Sequence, residues 1–189
     1  MGSVHPTLEY KIYTTIMEFK FTDPATDFSS GLQVITDYHQ DFLTRGVQLV
    51  ELAKEIKKQG MTEQLANQCM NMYCHYSHAT NLHHKDEEEA LFPLLVDQSS
   101  LIIGMIERLI MDHEEIEESW AALSSRLCHP ENINNFDHFL HLAIEFEKIL
   151  RDHLTREDED FSPVIKTLLS DDQLKLAGTK MSEIRHLIS

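Results

Sequence analysis

The sequence has few of the features that mark secreted or membrane-spanning proteins. It contains only three cysteines, an odd number without a CxxC pair, which argues against a disulfide scaffold and favours a reducing compartment. No apolar run reaches the roughly 18 residues that a transmembrane helix needs. The first residues show no basic start followed by an apolar segment, so they predict no secretory signal. We therefore expect a cytoplasmic protein with no membrane partner.

Positive charge is also scarce. Lys and Arg total 16 against 32 Asp and Glu, the net charge is −16, and no run of five basic residues occurs. Because phosphate binding needs clustered cations, we expect no nucleic-acid partner. Histidine, in contrast, is abundant, at 12 of 189 residues. This is the first compositional indication of metal chemistry.

Four long segments have apolar residues at three- and four-residue steps, the spacing of amphipathic helices. The predicted helices cover residues 29–58, 62–92, 100–127 and 131–161. Short connections join them, so the chain from 29 to 189 predicts an all-α, antiparallel up-down-up-down four-helix bundle. The sequence SDDQ at 170–173 resembles a capping box and predicts a short C-terminal helix.

Residues 1–28 do not share this pattern. Within them, KIYTTIMEFKF, which starts at Lys11, alternates weakly and contains β-branched and aromatic residues. It is compatible with a short strand or with an extended segment. We predict that residues 1–28 form an N-terminal arm outside the bundle domain.

One motif occurs twice, near the ends of the second and fourth predicted helices. HHKDEEEALFP begins at His83 and HLTREDEDFSP begins at His153. Each has a glutamate four residues after the histidine, Glu87 or Glu157, and a proline ten residues after it. Residues four apart lie on one face of a helix, so each pair can reach a single metal centre.

The other two helices contribute one histidine each, His39 and His113. The single histidines are 74 residues apart and the His-Glu pairs 70 apart, so the second half of the chain repeats the first. All lie on apolar helix faces without a basic partner, and buried carboxylates require a cation or a proton. The predicted metal ligands are therefore His39, His83, Glu87, His113, His153 and Glu157.

Some choices stay open at this point. His84 and Glu88 are also four apart, although the spacing to Pro93 favours His83 and Glu87. Tyr76 lies two turns before His83 on the same face, so it either hydrogen-bonds near the site or is a core residue. Asp86, Glu88 and Glu89 are expected at the solvated rim. Most of the remaining histidines are expected at the surface or at the rim of the site: His5, His75, His78, His84, His129, His138, His141 and His186.

These motifs resemble those of the hemerythrin-like family, the HHE cation-binding domains, over roughly residues 29–187. The resemblance implies two non-haem iron ions, bridged by Glu87 and Glu157 and by an oxo or hydroxo group, with two histidines on each iron. Oxygen-carrying members have a second histidine on the third helix, where this chain has Glu117. They also have an aspartate bridge at the spacing of Asp158. Its predicted site is more similar to the symmetric site of bacterial HHE proteins, which include iron-centre repair proteins. Those repair proteins also have a cysteine-bearing N-terminal domain, and we identify no counterpart of it in this sequence.

The function that follows is a di-iron protein that binds or senses a diatomic ligand, most simply O₂, with NO as another candidate. One alternative is an enzyme with the same centre, with peroxidase, NO-reducing or iron-donating activity. Another is a metal-dependent sensor or interaction module. The sequence leaves open whether the protein is an enzyme, and it identifies no protein partner.

Overall fold

The computed structural model describes residues 19–188, and this part of the chain is all-α, without strands. Four long helices form the predicted antiparallel bundle, and two shorter helices follow. The long helices are α1 (Gly31–Gln59), α2 (Glu63–Lys85), α3 (Ser100–Leu127) and α4 (Phe136–Arg156). The shorter ones are α5 (Ser162–Leu168) and α6 (Asp171–Ile188). The possible strand from Lys11 lies mostly outside the described residues.

Local signals explain most helix ends. Thr62 caps α2 by accepting a hydrogen bond from the Leu65 N–H, and Gly60 ends α1 with a φ of 82°. The predicted capping box before α6 is present, since the Ser170 N–H donates to Gln173 Oε1. The prediction for α4 was five residues too long at its start. Residues 130–132 form a separate 3₁₀ turn there, and α4 begins only after Asn135.

The repeated motif forms the same unusual structure in both halves. α2 continues into a π-helical turn, Asp86–Leu91, and α4 into another, Glu157–Phe161. Each turn is closed by a hydrogen bond spanning five residues, from the Phe92 N–H to the Glu87 carbonyl and at the equivalent position in α4. A proline ring clashes with the carbonyl four residues before it, and a widened turn relieves this clash. The prolines at the same spacing therefore place each motif glutamate in a π turn.

The four long helices pack in a square, α1 against α2 and α4, and α3 against α2 and α4. Fully buried aromatic rings fill the interior between them, including Tyr38, Phe42 and Phe146. On α3 two apolar residues lie outside the core, since Leu101 and Ile110 are 70% and 37% exposed. Each is adjacent to a buried residue, and neighbours on a helix point about 100° apart.

α6 and residues 23–30 close the end of the bundle near the π turns, whereas Phe21 packs against His75 and His78 of α2. α6 contacts α1 and the first π turn, and Gly178 on α6 packs against the backbone around Phe28. Ala25 is buried in the core. The division of the chain into an arm (1–28) and a bundle domain (29–189) stays a prediction. Among the described helices, none has the length and hydropathy required to cross a membrane.

Candidate metal centre

The fold brings the six predicted ligands together in the interior, between the four long helices. Each long helix supplies one histidine, and each π turn supplies one glutamate. All six residues are buried, and none has more than 2% of its surface exposed. The predicted residues are His39, His83, Glu87, His113, His153 and Glu157.

The donor atoms form two groups that share both glutamates. One group contains His39 and His83 with the two glutamates, and the other contains His113 and His153 with the same two. In each group, one atom from every residue lies within 4.8 Å of all the others. His39 Nε2 is 3.0 Å from Glu157 Oε2, and His113 Nε2 is 3.1 Å from Glu87 Oε2. Two carboxylates shared by two histidine pairs are suited to bridging two cations.

Electrostatics also favour a cation here. Burial, together with the charge of Glu157, raises the pKa of Glu87 well above its usual range. Burial likewise lowers the pKa of His83 to about 3, which keeps this imidazole neutral as metal binding requires. Within residues 19–188 neither glutamate pairs with Lys or Arg, and both have oxygens that lack a hydrogen-bond donor. A cation between these groups would satisfy the oxygens and remove the need for a proton.

Outer carboxylates orient two of the histidines in the same way in both halves. His39 Nδ1 lies 2.8 Å from Asp158, the residue after Glu157, and His113 Nδ1 lies 2.7 Å from Glu88, the residue after Glu87. Such partners fix the tautomer and direct Nε2 towards a metal. Glu88 lies at the solvated rim as predicted, with its side chain 42% exposed, and it also contacts His113.

The partners of the other two histidines differ between the halves. His153 Nδ1 lies 3.7 Å from Asp112, a buried carboxylate that also accepts a hydrogen bond from Arg156. At the equivalent place, Tyr38 stacks on the ring of His83 at 5.6 Å between centroids. Asp112, the residue before His113, thus places a carboxylate beside His153. Tyr38, the residue before His39, places an aromatic ring beside His83.

Asp86, unlike Glu88, does not match the expectation for the acidic run. It was predicted at the solvated rim, but it is 0% exposed and forms a bidentate ion pair with Arg185 of α6, at 2.6 and 2.7 Å. Burial raises the pKa of Asp86 to about 6 even though Arg185 opposes this shift. Arg185 also binds Asp23 and the hydroxyl of Tyr38, so α6 and the segment before α1 hold the first π turn in place.

Two histidines that we expected at the surface are buried. His75 is 4% exposed and its Nε2 lies 2.7 Å from Asp41 Oδ2. His84 is 5% exposed and stacks on His113, but it belongs to neither donor group. The expectation of surface positions is confirmed for five histidines, and His5 lies outside the described residues. The exposed ones are His78, His129, His138, His141 and His186.

Tyr76 is a core residue rather than a neighbour of the site. Its ring stacks on that of Phe42, with 5.9 Å between the ring centroids. The ring of Phe42 in turn packs edge-on against that of His83, with 5.4 Å between centroids. Phe42 therefore stands between Tyr76 and the donor groups. A polar surface groove of about 770 Å³ between α1 and α2 passes Gln48 and Gln68, and it contains none of the six predicted ligands.

Comparison with known proteins agrees with this geometry. The family model described as the hemerythrin HHE cation-binding domain matches residues 30–165. An uncharacterised protein of Haemophilus influenzae is 31% identical over 140 residues, covering 74% of this chain and 81% of that protein. No solved structure gives a significant match. Together with the His/Glu groups, the match over most of the chain shows that this protein belongs to the metal-binding hemerythrin HHE family.

Proposed function

We propose that the protein holds two non-haem iron ions and uses them to bind or sense a diatomic ligand, most simply O₂. The observation that carries this proposal is the sharing of Glu87 and Glu157 by two histidine pairs within 4.8 Å. One ion would take His39 and His83, the other His113 and His153, with both glutamates bridging and an oxo or hydroxo group as a further bridge.

The donor set supports iron over other metals. Each ion would have two imidazole nitrogens and two carboxylate oxygens, a mixture that suits iron in helical bundles. Structural zinc sites hold one ion in a closed tetrahedron of ligands, usually including cysteine. Here both glutamates belong to two donor groups, so they can bridge two ions. A reduced pair of irons would supply the electrons for reversible O₂ binding, and the protein would supply the ligands and the surroundings.

The surroundings of the donor groups are apolar and aromatic. Phe42 contacts His83, and Phe92 lies 6.4 Å from His113 between ring centroids. Phe161 packs edge-on against Phe92. Rings of this kind limit the access of water, which would favour retention of a neutral diatomic molecule over hydrolytic or proton-transfer chemistry.

Optical spectroscopy tests this proposal. Iron-loaded, reduced protein should gain a visible absorption band when exposed to air and lose it on deoxygenation. Glu157→Ala should abolish the band because it removes a shared carboxylate, whereas Glu159→Ala, two residues along the same turn and exposed, should retain it. Irreversible oxidation of the native protein without such a band would refute reversible binding.

The alternatives, an enzyme with the same centre or a metal-dependent sensor or interaction module, gain no specific support. The one aromatic hydroxyl considered for chemistry, that of Tyr76, is separated from the donor groups by Phe42. Turnover of peroxide or NO by the iron-loaded protein would favour the enzyme.

A further inference from the structure

His84 stands beside one of the two donor groups without belonging to it. Its ring is parallel to that of His113, with 3.9 Å between centroids and 6° between planes, and lies 6.4 Å from the ring of His153. Both its nitrogens are buried and neither has a hydrogen-bond partner among the described residues. A buried polar ring of this kind is costly unless it meets a polar group in the working protein.

The orientation of His84 follows from its outer neighbour. Its Nδ1 faces Glu117, whose Oε1 is 3.7 Å away and whose side chain is 70% exposed. The opposite edge of the ring, which carries Nε2, therefore faces the interior. His113 has the same orientation, because its Nδ1 contacts the outer carboxylate of Glu88 and its Nε2 lies next to the buried carboxylate of Glu87.

This stacking favours a hydrogen-bond donor over another metal ligand. Ligands of one metal radiate from it in different directions, whereas two parallel rings 3.9 Å apart point side by side. The Nε2 of His84 is thus displaced sideways from the direction in which His113 would bind a metal. From such a position an N–H can reach a group bound to the metal next to His113.

The other half of the chain has an apolar counterpart. With the offsets of 70 and 74 residues that relate the ligands, His84 corresponds to Leu154 and Glu117 to Leu43. Leu43 and Leu154 also line the same small crevice. A polar pair next to His113 and an apolar pair in the other half make the two metal positions unequal.

We propose that the position formed by His113, His153 and the shared glutamates is a binding site for a small anion or reduced diatomic ligand, to which His84 Nε2 donates a hydrogen bond. Glu117 lies on the outer side of the ring, 3.7 Å from Nδ1. This inference rests on the proposed metal centre, because the ligand would bind to the metal, and it adds which metal takes the ligand and what recognises it.

Azide titration of the iron-loaded protein, followed by optical absorption, tests the proposal. His84→Leu copies the residue of the other half and should keep two irons per chain while weakening azide binding about tenfold, the loss of one charge-assisted hydrogen bond. His84→Gln retains an N–H donor and should lose less affinity. His141→Leu, the same type of change at an exposed position, should change nothing.

Three results would overturn the inference. Equal azide affinity in native protein and His84→Leu would show that no hydrogen bond is made. Loss of iron from both His84 variants, with native metal content in His141→Leu, would show that His84 is a metal ligand instead. Iron-loaded native protein that binds no azide would show that no such anion site exists. Native protein that takes up fewer than two irons would refute the proposed centre itself, and metal analysis before each titration separates that failure from the others.

Discussion

The ion pair between Arg185 and Asp86 gives a sharp prediction about stability. Arg185→Ala leaves Asp86, a carboxylate of the first π turn that is 0% exposed, without its bidentate partner. The arginine side chain is itself only 13% exposed, so water screens little of the interaction. The same substitution removes hydrogen bonds to Asp23 and Tyr38.

Removal of one partner from a buried ion pair costs about 3–5 kcal/mol, mainly because the remaining charge is buried and uncompensated. For a chain of 189 residues, this corresponds to a fall in Tm of about 10 °C, at roughly 2–4 °C per kcal/mol. The double substitution Asp86→Leu with Arg185→Met should recover much of the loss, because it leaves no unpaired charge.

Urea denaturation followed by circular dichroism measures this free energy, on protein whose metal content has been checked. Arg151→Ala is the control, since its pairing with Glu147 is exposed and should contribute less than about 1 kcal/mol. If Arg185→Ala lost no more than Arg151→Ala, or if the double variant were less stable than Arg185→Ala, the account of this ion pair would be wrong.

Three other predictions concern packing, outer-sphere ligation and the core. Gly178→Ala should lower the free energy of unfolding by about 1–3 kcal/mol, because the added Cβ would collide with backbone atoms. Gly104→Ala should raise it by about 1 kcal/mol, because the space around Gly104 is open and alanine favours a helix. Urea denaturation compares the two variants. Glu88→Gln and Asp158→Asn should each weaken metal affinity about 10–100-fold in competition with a chelator, and an unchanged affinity would contradict their orienting role. Tyr76→Phe should raise the free energy of unfolding by about 1 kcal/mol, because it removes a buried hydroxyl without a partner in residues 19–188, and a clear loss of stability would show that the hydroxyl is bonded.

The sequence predicted the bundle and the convergence of the donor residues because both depend on local spacing. Helical periodicity defined four helices, and the equal spacing of His83 and His153 to their glutamates and prolines indicated a duplicated site. Even the π turns had a sequence signal, since Pro93 and Pro163 follow the histidines at the same distance. That signal does not specify a π turn, because proline can kink, stop or widen a helix.

The residues that the sequence misplaced depend on contacts from distant parts of the chain. Asp86 is buried because Arg185, 99 residues later, pairs with it. His84 is buried together with its neighbour His83 because α2 contacts helices on more than one side, including α1, α3 and α6. Helical periodicity predicts one buried face for each helix, so Asp86 and His84, which lie off that face, are predicted at the surface.

The metal content of the purified, iron-loaded protein tests the central claim most directly. Two irons per chain are expected in the native protein, and Glu87→Ala should hold less than one, because Glu87 belongs to both donor groups. Glu89→Ala, two residues further along the same turn and exposed, should retain two. A native protein that binds one iron or none, or a Glu87→Ala variant that still binds two, would contradict a centre built on shared carboxylates.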